Sequence, residues 1–414
     1  MQRRLHENPS LDELNSLAQS AGYEVVGRLE QVRQPDPRYQ IGSGKVEELR
    51  ELVTETSADK IIFDNDLKPV QSYNLAKETG IEAIDRFQLI LEIFAKRAST
   101  REAQLQIQLA RLNYELAHAK ERVKLAKKEE QPGFMGLGAY EVDVYYEAVK
   151  RQIHTIQDKL KKIRRKRALH RKRRAETGFT SISLAGYTSA GKSSLFNALA
   201  EEDVKVGLGL FTTLSTTTRA VDLFGKKAFL TDTVGFIDRL PISLIEAFHS
   251  TLEETVFSDL ILLVLDVSEP EDVIQRKLAT SLDTIEKIGA MGVPMITVLN
   301  KMDLLSKQEV VRRVELLKNE GQNPVPISAL YKTNIDALKT ELKRFLKQYI
   351  QTSFIVPVNH NSLSFLSWLF AHADVQKVDY EGNDMNVTFQ AVPEFVEQVK
   401  GQIRKFGGKF GAAD

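Results

Sequence analysis

The chain contains no cysteine among its 414 residues. It therefore forms no disulfide bond and offers no thiolate ligand to a metal, which is typical of proteins from a reducing compartment. It also lacks a run of about 18 apolar residues, the length at which a helix becomes a candidate to span a membrane. Because the N-terminal sequence MQRRLHENPS is polar, we expect no secretory signal, and we expect a cytoplasmic protein.

The chain as a whole carries almost no net charge, but one segment is strongly basic. Lys and Arg number 57 against 56 for Asp and Glu, which gives a net charge of +1. Residues 159–174 nevertheless hold eleven basic residues and no acid, so the rest of the chain carries −10 (+1 minus 11). Such a block repels itself unless an anion neutralises it, so we interpret it as a site for RNA phosphates. A solvated helix face and a membrane surface are the alternatives. The candidate RNA-binding residues are Lys161, Lys162, Arg164, Arg165, Lys166, Arg167, Arg171, Lys172, Arg173 and Arg174.

A phosphate-binding loop lies near the middle of the chain. The apolar run over 179–185 predicts a buried strand, and the sequence SLFNAL over 194–199 predicts a helix. Backbone N–H groups between two such elements wrap phosphate, while a lysine reaches the β- and γ-phosphates and a serine hydroxyl binds Mg²⁺. The residues in this P-loop spacing are Gly186, Tyr187, Thr188, Ser189, Ala190, Gly191, Lys192 and Ser193, followed by Ser194.

Three further motifs follow predicted strands downstream and indicate GTP. They are Asp232-Thr233-Val234-Gly235, Asn300-Lys301-Met302-Asp303 and Ser328-Ala329-Leu330. Asp232 can hold the water shell of Mg²⁺, and the Gly235 N–H can reach a γ-phosphate. The Asp303 carboxylate matches two N–H donors of guanine, and the last motif would present a backbone N–H to guanine O6. Four motifs in this order, each at the carboxyl end of a strand, predict a GTPase with a doubly wound, mostly parallel sheet.

These motifs and their surroundings resemble the HflX family of translational GTPases. The resemblance lies in GYTSAGKSSLFN, in LFTTL over 210–214, in DTVGFI over 232–237 with the following Leu240-Pro241, and upstream in IDR over 84–86, LILEIFAKRA over 89–98 and LQIQLA over 105–110. It covers roughly residues 10–345. It implies a GTP-hydrolysing enzyme that uses Mg²⁺ and binds the large ribosomal subunit, in ribosome splitting or rescue.

The resemblance also implies residue roles. Thr213 matches the threonine that completes the Mg²⁺ shell when GTP is bound, Thr212 being the alternative and Phe211 their neighbour. The implied catalytic set is Lys192, Thr213 and Gly235, and the implied Mg²⁺ ligands are Ser193, Thr213 and, through water, Asp232. The expected partners are GTP, GDP and ribosomal RNA, without DNA, and the expected state is a monomer.

Several positions depart from the expected pattern. Most members of the family carry Asn at the position of Ser189, where it helps to hold an activating monovalent cation, so that cofactor is in doubt here. The glycine-rich loop over 132–139 has lost the charged residues of the family. Phe236 stands where many GTPases carry a water-orienting Gln. It cannot hydrogen-bond through its side chain, whether or not it simply packs, so we expect slow hydrolysis by the isolated chain.

The patterning divides the chain into four predicted domains. They are an N-terminal α/β domain over 1–98, a helical hairpin with a basic end over 99–176, a GTPase domain over 177–349 and a C-terminal α+β domain over 350–414. In the first we predict strands over 23–29, 60–63 and 81–84. Apolar residues at 4-3 spacing over 105–123 and over 149–163 predict two helical seams, and the glycine-rich break over 132–138 turns the chain back into an antiparallel hairpin. The C-terminal domain has no chemical signature.

Two alternatives to a ribosome-binding GTPase remain open on the sequence. The chain could be a GTP-gated adaptor for a protein or membrane partner, in which case the basic block would be dispensable. A second nucleotide site could hydrolyse ATP in the N-terminal domain, where Gly42-Ser43-Gly44-Lys45 resembles a phosphate loop. That segment lacks the P-loop spacing and a Ser or Thr after the lysine, so we favour the start of a helix.

The assignment of Asp303 predicts a change of base specificity. Asp303→Asn removes the acceptor that guanine requires and leaves its donors unmatched, which costs about 1–3 kcal/mol of binding free energy. GTP should bind more weakly and xanthosine triphosphate more tightly, as measured by calorimetric titration with both nucleotides. An unchanged nucleotide preference would remove the assignment.

Overall fold

The computed structural model describes residues 11–129, 137–176, 179–200, 217–224, 226–237, 254–318, 324–346 and 350–411. Within these ranges, none of the helices combines the length and the apolar character needed to cross a membrane. The elements follow the chain as an α/β region, a helical hairpin, a six-stranded sheet with helices, and a four-stranded sheet with two helices.

The N-terminal region is built around two parallel strands. Strand β1 pairs with β2 in parallel, with Lys60 opposite Glu82. Helix α2 begins directly after Gly42, so the prediction of a helix start at this glycine-rich segment is confirmed. The elements are α1 (Asp12–Ser20), α2 (Ser43–Thr56), β1 (Lys60–Phe63), α3 (Pro69–Thr79), β2 (Glu82–Asp85) and α4 (Arg86–Arg97).

The predicted strand over 23–29 is wrong. Residues 24–30 belong to no helix or strand, and Val25 and Val26 are exposed. Strand propensity reflects how well a residue fits a paired, half-buried surface, and the described residues give this segment no ladder. The buried face of the region comes instead from the helices packed on β1 and β2.

The helical hairpin consists of α5 (Arg101–Glu129) and α6 (Leu137–Glu176). Residues at the predicted 4-3 spacing form its buried seam, which confirms the antiparallel pairing. They include Leu105 and Leu112 on α5, and Val149, Ile153, Ile156 and Leu160 on α6. The connection between the helices lies outside the described residues.

The central sheet has six strands in the order β4-β5-β3-β6-β7-β8. All neighbours are parallel except β4 and β5, and apolar clusters lie against both faces. This is the predicted doubly wound, mostly parallel arrangement. The elements are β3 (Thr180–Gly186), α7 (Lys192–Ala200), β4 (Thr217–Leu223), β5 (Lys226–Asp232), β6 (Leu260–Asp266), α8 (Glu271–Lys287), β7 (Met295–Asn300), a 3-10 turn (Met302–Leu304), α9 (Lys307–Lys318), β8 (Val325–Pro326) and α10 (Ile335–Lys343).

The C-terminal region forms an antiparallel sheet in the order β10-β11-β9-β12, with a helix inserted after its first and third strands. This is a ferredoxin-like βαββαβ arrangement. Phe354, Phe389 and Phe395 are fully buried in its core. The elements are β9 (Ile350–Pro357), α11 (His360–His372), β10 (Asp374–Glu381), β11 (Asp384–Ala391), α12 (Pro393–Lys405) and β12 (Lys409–Phe410).

The N-terminal region and the central sheet share one apolar cluster. Val234 and Ile237, which follow β5, pack with Leu17, Ile90 and Phe94 of the N-terminal helices. Ile237 is fully buried there. The segment after β5 is therefore in direct contact with the N-terminal region.

Beside this cluster lies a buried ion network centred on Arg86. Its guanidinium nitrogens lie 2.6 Å from Glu13 Oε2 and 2.7 Å from Asp64 Oδ1, and its side chain is 5% exposed. Glu13 also accepts a hydrogen bond from the Tyr187 hydroxyl of the P-loop. An ionised arginine at this depth requires such partners.

Removal of one carboxylate of the network should destabilise the protein. Asp64→Ala leaves Arg86 buried with less compensation, so we expect the free energy of unfolding to fall by about 3–5 kcal/mol in denaturant titrations. Glu30→Ala is the control, because Glu30 is 53% exposed and pairs with a half-exposed Arg28. Equal losses of unfolding free energy in the two variants would show that the buried network stabilises the protein no more than an exposed ion pair does.

Candidate nucleotide-binding site

The P-loop connects the end of β3 to the start of α7. Gly186 has φ +136° and Gly191 has φ +91°, in the region that favours glycine. A Cβ at Gly186 would lie 2.2 Å from the Val264 carbonyl oxygen on neighbouring β6. The loop thus reaches α7 only because these two positions carry no side chain.

Asn300 joins three of the predicted motifs. Its Nδ2 donates to the Ala190 carbonyl at 2.9 Å, and its Oδ1 accepts from the Ala329 N–H at 2.9 Å. The side chain is buried, so both bonds form away from competing water. The sequence placed Asn300 at the site, but this bracing of the P-loop against the guanine motifs follows only from the fold.

Lys192 lies folded under the loop. Its ammonium donates to the carbonyls of Gly186 at 3.0 Å and Tyr187 at 2.9 Å. Burial lowers the pKa of Lys192 to about 8, and the nearby Asp232 carboxylate opposes this shift. A phosphate beside the ammonium would favour the charged form further.

Two of the predicted Mg²⁺ ligands lie together, Ser193 at the start of α7 and Asp232 at the end of β5. Ser193 Oγ donates to Asp232 Oδ2 at 2.8 Å, and Asp232 is buried. A hydroxyl and a carboxylate are hard oxygen donors that suit Mg²⁺, so this pair fits the ion. Phe211, Thr212 and Thr213 lie outside the described residues.

The segment after β5 crosses directly over the P-loop. The Phe236 N–H donates to the Gly186 carbonyl at 2.9 Å, and the Thr188 N–H donates to the Phe236 carbonyl at 2.8 Å. A Cβ at Gly235 would lie 2.8 Å from Thr188 Cγ2 and 2.9 Å from Lys192 Nζ. Only glycine therefore allows this close approach to the loop.

Phe236 itself is a core residue. It is 1% exposed and packs with Leu263, Ile274 and Leu278 between the sheet and α8. The interpretation that Phe236 simply packs is the one the structure bears out. Because the ring points into this core, it cannot hold an attacking water.

The guanine motifs form the edge of the site next to β7 and β8. Asp303 is exposed in the 3-10 turn, where its carboxylate can meet a base. Lys301 has φ +67°, and its ammonium lies 2.5 Å from Asp266 Oδ2. The motif Ser328-Ala329-Leu330 is predicted to present a backbone N–H to guanine O6, and within it the Ala329 N–H donates here to Asn300. Ser328 is buried, whereas Leu330 is exposed.

Tyr187 links the P-loop to residues that the sequence did not reveal. Its hydroxyl donates to Glu13, and the Lys277 ammonium lies 4.6 Å from its ring centroid. Lys277 also lies 2.6 Å from Glu269. Glu13 and Tyr187 are 174 positions apart, so no local pattern could have paired them.

The basic block lies on α6. The side chains of Lys161, Lys162, Arg164, Arg165 and Lys166 are exposed. The side chains of Arg167 and of the remaining candidates, Arg171, Lys172, Arg173 and Arg174, lie outside the part of the chain described. Because an α-helix turns by about 100° per residue, these exposed residues cover more than half of the circumference of α6, with no acidic residue among them. We call this broad surface the basic face of α6.

A phosphate loop braced against a guanine-specificity motif on a doubly wound sheet defines a GTP-hydrolysing P-loop enzyme. Three family models match the chain: a GTP-binding GTPase N-terminal model over residues 8–95, a GTP-binding GTPase middle region over 97–174, and a 50S ribosome-binding GTPase over 181–301. A GTPase HflX from Methanocaldococcus jannaschii is 44% identical over 393 residues, covering 95% of this chain and 96% of that protein. The chain belongs to the HflX family of GTPases.

Other relatives show the same likeness. A GTPase HflX from Thermococcus kodakarensis is 48% identical over 311 residues, covering 75% of this chain and 70% of that protein. Among solved structures, a GTP-binding protein from the hyperthermophilic archaeon Sulfolobus solfataricus in complex with GDP is 29% identical, with a TM-score of 0.45. That match covers 81% of this chain and 94% of the solved one.

The bracing by Asn300 predicts that Gly191 tolerates no side chain. A Cβ there would lie 2.2 Å from Asn300 Nδ2, so Gly191→Ala should displace the amide and break its two bonds. With a strained φ added, we expect about 100-fold weaker GTP binding, or about 3 kcal/mol. Gly44→Ala is the control, since a Cβ there meets nothing within 4 Å. Titration with fluorescent GTP measures the affinity of each variant. Equal affinities for Gly191→Ala and Gly44→Ala would contradict the role of Asn300 in holding the P-loop.

Proposed function

We propose that this GTPase binds the ribosome in its GTP form, through RNA of the large subunit, and takes part in splitting or rescuing ribosomes. The observation that carries the proposal is the exposed, acid-free basic face of α6, which precedes β3 of the GTPase sheet. Its partner must supply closely spaced negative charge, as RNA does. The model that matches residues 181–301 describes a 50S ribosome-binding GTPase, which supports this choice.

In this proposal, each predicted site residue has a stated role in holding the nucleotide. Lys192 would bind the β- and γ-phosphates, and backbone N–H groups of the P-loop would wrap the β-phosphate. Ser193 and, through water, Asp232 would hold Mg²⁺, which neutralises charge on the phosphates. Thr213 would complete this shell in the GTP form. Asp303 would select guanine.

The γ-phosphate would be sensed by Gly235. A hydrogen bond from its N–H to the γ-phosphate would depend on the position of the segment after β5, which lies so close to the P-loop that a Cβ at Gly235 would meet Thr188 and Lys192. Its neighbours Val234 and Ile237 are packed in the N-terminal cluster. A change of nucleotide would therefore alter the surface between the N-terminal region and the GTPase sheet.

Hydrolysis would be slow until the ribosome organises the site. Phe236 is buried in the core under α8 and offers no hydrogen bond to water. A positioned water is the remaining requirement of phosphoryl transfer once phosphate and Mg²⁺ are held. The ribosomal surface would supply that positioning, which couples turnover to binding.

Sedimentation with ribosomes and isolated subunits tests the proposal. We expect the large subunit to carry the protein to the pellet with a GTP analogue, and less with GDP or without nucleotide. Replacement of Arg164, Arg165 and Lys166 by Gln should flatten the dependence of log affinity on log salt by up to about 2.7, or about 0.9 per lost duplex phosphate contact. GTP binding should persist.

The matched control places the same charge change on α9. Lys307, Arg312 and Lys318 are exposed there, and their replacement by Gln should leave the salt slope unchanged. If the α6 variant pellets with an unchanged slope, the basic face is merely solvated. Binding to anionic vesicles but not to ribosomes would instead favour a membrane-facing adaptor.

A further inference from the structure

An open groove of about 410 Å³ lies on the outer side of the C-terminal helices. We call it the α11–α12 groove. Its volume lies in the range of small-molecule sites. Its lining residues are Asn361, Ser364, Phe365, Trp368, Gln402 and Phe406.

The groove has an aromatic wall centred on Trp368. The indole is 37% exposed, and it stacks on Phe365 and on Phe395 with centroid distances of 5.3 Å in both pairs. Both phenylalanines are buried, so they fix the indole in place. A rigid, partly exposed aromatic surface suits a flat ring, because stacking needs no further ordering of the side chain.

The rim of the groove is polar. Asn361, Ser364 and Gln402 are exposed, and their amides and hydroxyl offer both donors and acceptors. An apolar peptide side chain or an acyl chain would cover these groups without pairing them. The edge of a nucleobase carries a matching mixture of donors and acceptors beside its flat face.

The charge around the groove is basic on one side. Residues 400–409 include Lys400, Arg404, Lys405 and Lys409 and no acid. Arg404 and Lys405 lie at the end of α12, next to the lining residues Gln402 and Phe406, and both are exposed. The acidic residues of α12, Glu394 and Glu397, lie in its first half, where Glu397 pairs with Lys400 at 2.6 Å, and Asp374, Asp379, Glu381 and Asp384 belong to β10 and β11. Phosphates that enter the groove at the C-terminal end of α12 would therefore meet complementary charge from Arg404 and Lys405.

We propose that the α11–α12 groove binds one unpaired base of a single-stranded RNA. The base stacks in the aromatic wall at Trp368, Asn361 and Gln402 bind its edge, and Arg404 and Lys405 contact the adjoining phosphates. This contact is separate from the basic face of α6. The choice of RNA over DNA rests on the proposed ribosome function, whereas the choice of a nucleobase rests on the groove.

The indole provides a direct test, because Trp368 is the single tryptophan of the chain. We expect its fluorescence in the full-length protein to be quenched, saturably, by a short oligouridylate or oligoadenylate RNA. An abasic oligomer with the same number of phosphates should quench little, since stacking requires the base. Equal quenching by the abasic oligomer, or no saturable quenching by RNA, would overturn the proposal.

Variants separate the groove from other RNA contacts. The double variant Asn361→Ala, Gln402→Ala should weaken the quenching isotherm about tenfold. Phe370→Ala is the control on the same helix, since Phe370 is 58% exposed and does not line the groove, and it should leave the isotherm unchanged. The α6 variant with Arg164, Arg165 and Lys166 replaced should still show quenching.

Each remaining outcome counts against one part of the proposal. If the double variant behaves as wild type, the groove does not bind the base. Quenching by an amphipathic peptide but not by RNA would assign the groove to a protein partner. A DNA oligomer that binds more tightly than RNA would overturn the choice of RNA. Failure of the groove leaves the ribosome sedimentation result intact, so the two proposals fail separately.

Discussion

The site depends on one buried amide. Asn300 donates to the P-loop at Ala190 and accepts from the backbone at Ala329, so the phosphate loop and the guanine motifs keep a fixed separation. Gly191 must lack a side chain for this amide to fit. Since buried hydrogen bonds are costly to leave unmade, a change at any of these positions disturbs the others. The P-loop and the predicted guanine motifs are therefore joined into a single unit.

A second constraint ties this unit to the N-terminal region. The segment after β5 divides its side chains between two cores: Phe236 lies under α8, while Val234 and Ile237 lie among the N-terminal helices. Its backbone meanwhile pairs with the P-loop at Gly186 and Thr188. Packed cores adopt discrete arrangements rather than deforming continuously. A shift of the backbone at Gly235 must therefore change the packing in both cores. The Tyr187 to Glu13 hydrogen bond joins the same two parts.

The local sequence patterns were sufficient for the hairpin helices, the strands that precede the nucleotide motifs and the phosphate loop, and they failed where pairing partners are distant. The 4-3 spacing of apolar residues on α5 and α6 and the apolar run before Gly186 each specify an element from its own residues. The segment over 23–29 carries strand-forming residues as well, yet it is assigned no strand, because propensity cannot supply a neighbour. Phe236 also shows the limit: its residue type excludes water binding, but its direction is set by the core.

The sequence by itself determined the class of chemistry, because phosphate and guanine recognition depend on short runs of backbone and side chain with fixed spacing, from Gly186 to Ser193 and at Asp303. Only the tertiary structure decided which distant groups meet. Arg86 with Glu13 and Asp64, and Trp368 with Gln402, are brought together by packing between elements far apart in the chain. Such contacts produce no periodic pattern in the sequence. Each partner fits the pattern of its own helix or strand, and the contact between them depends on how those elements pack against each other.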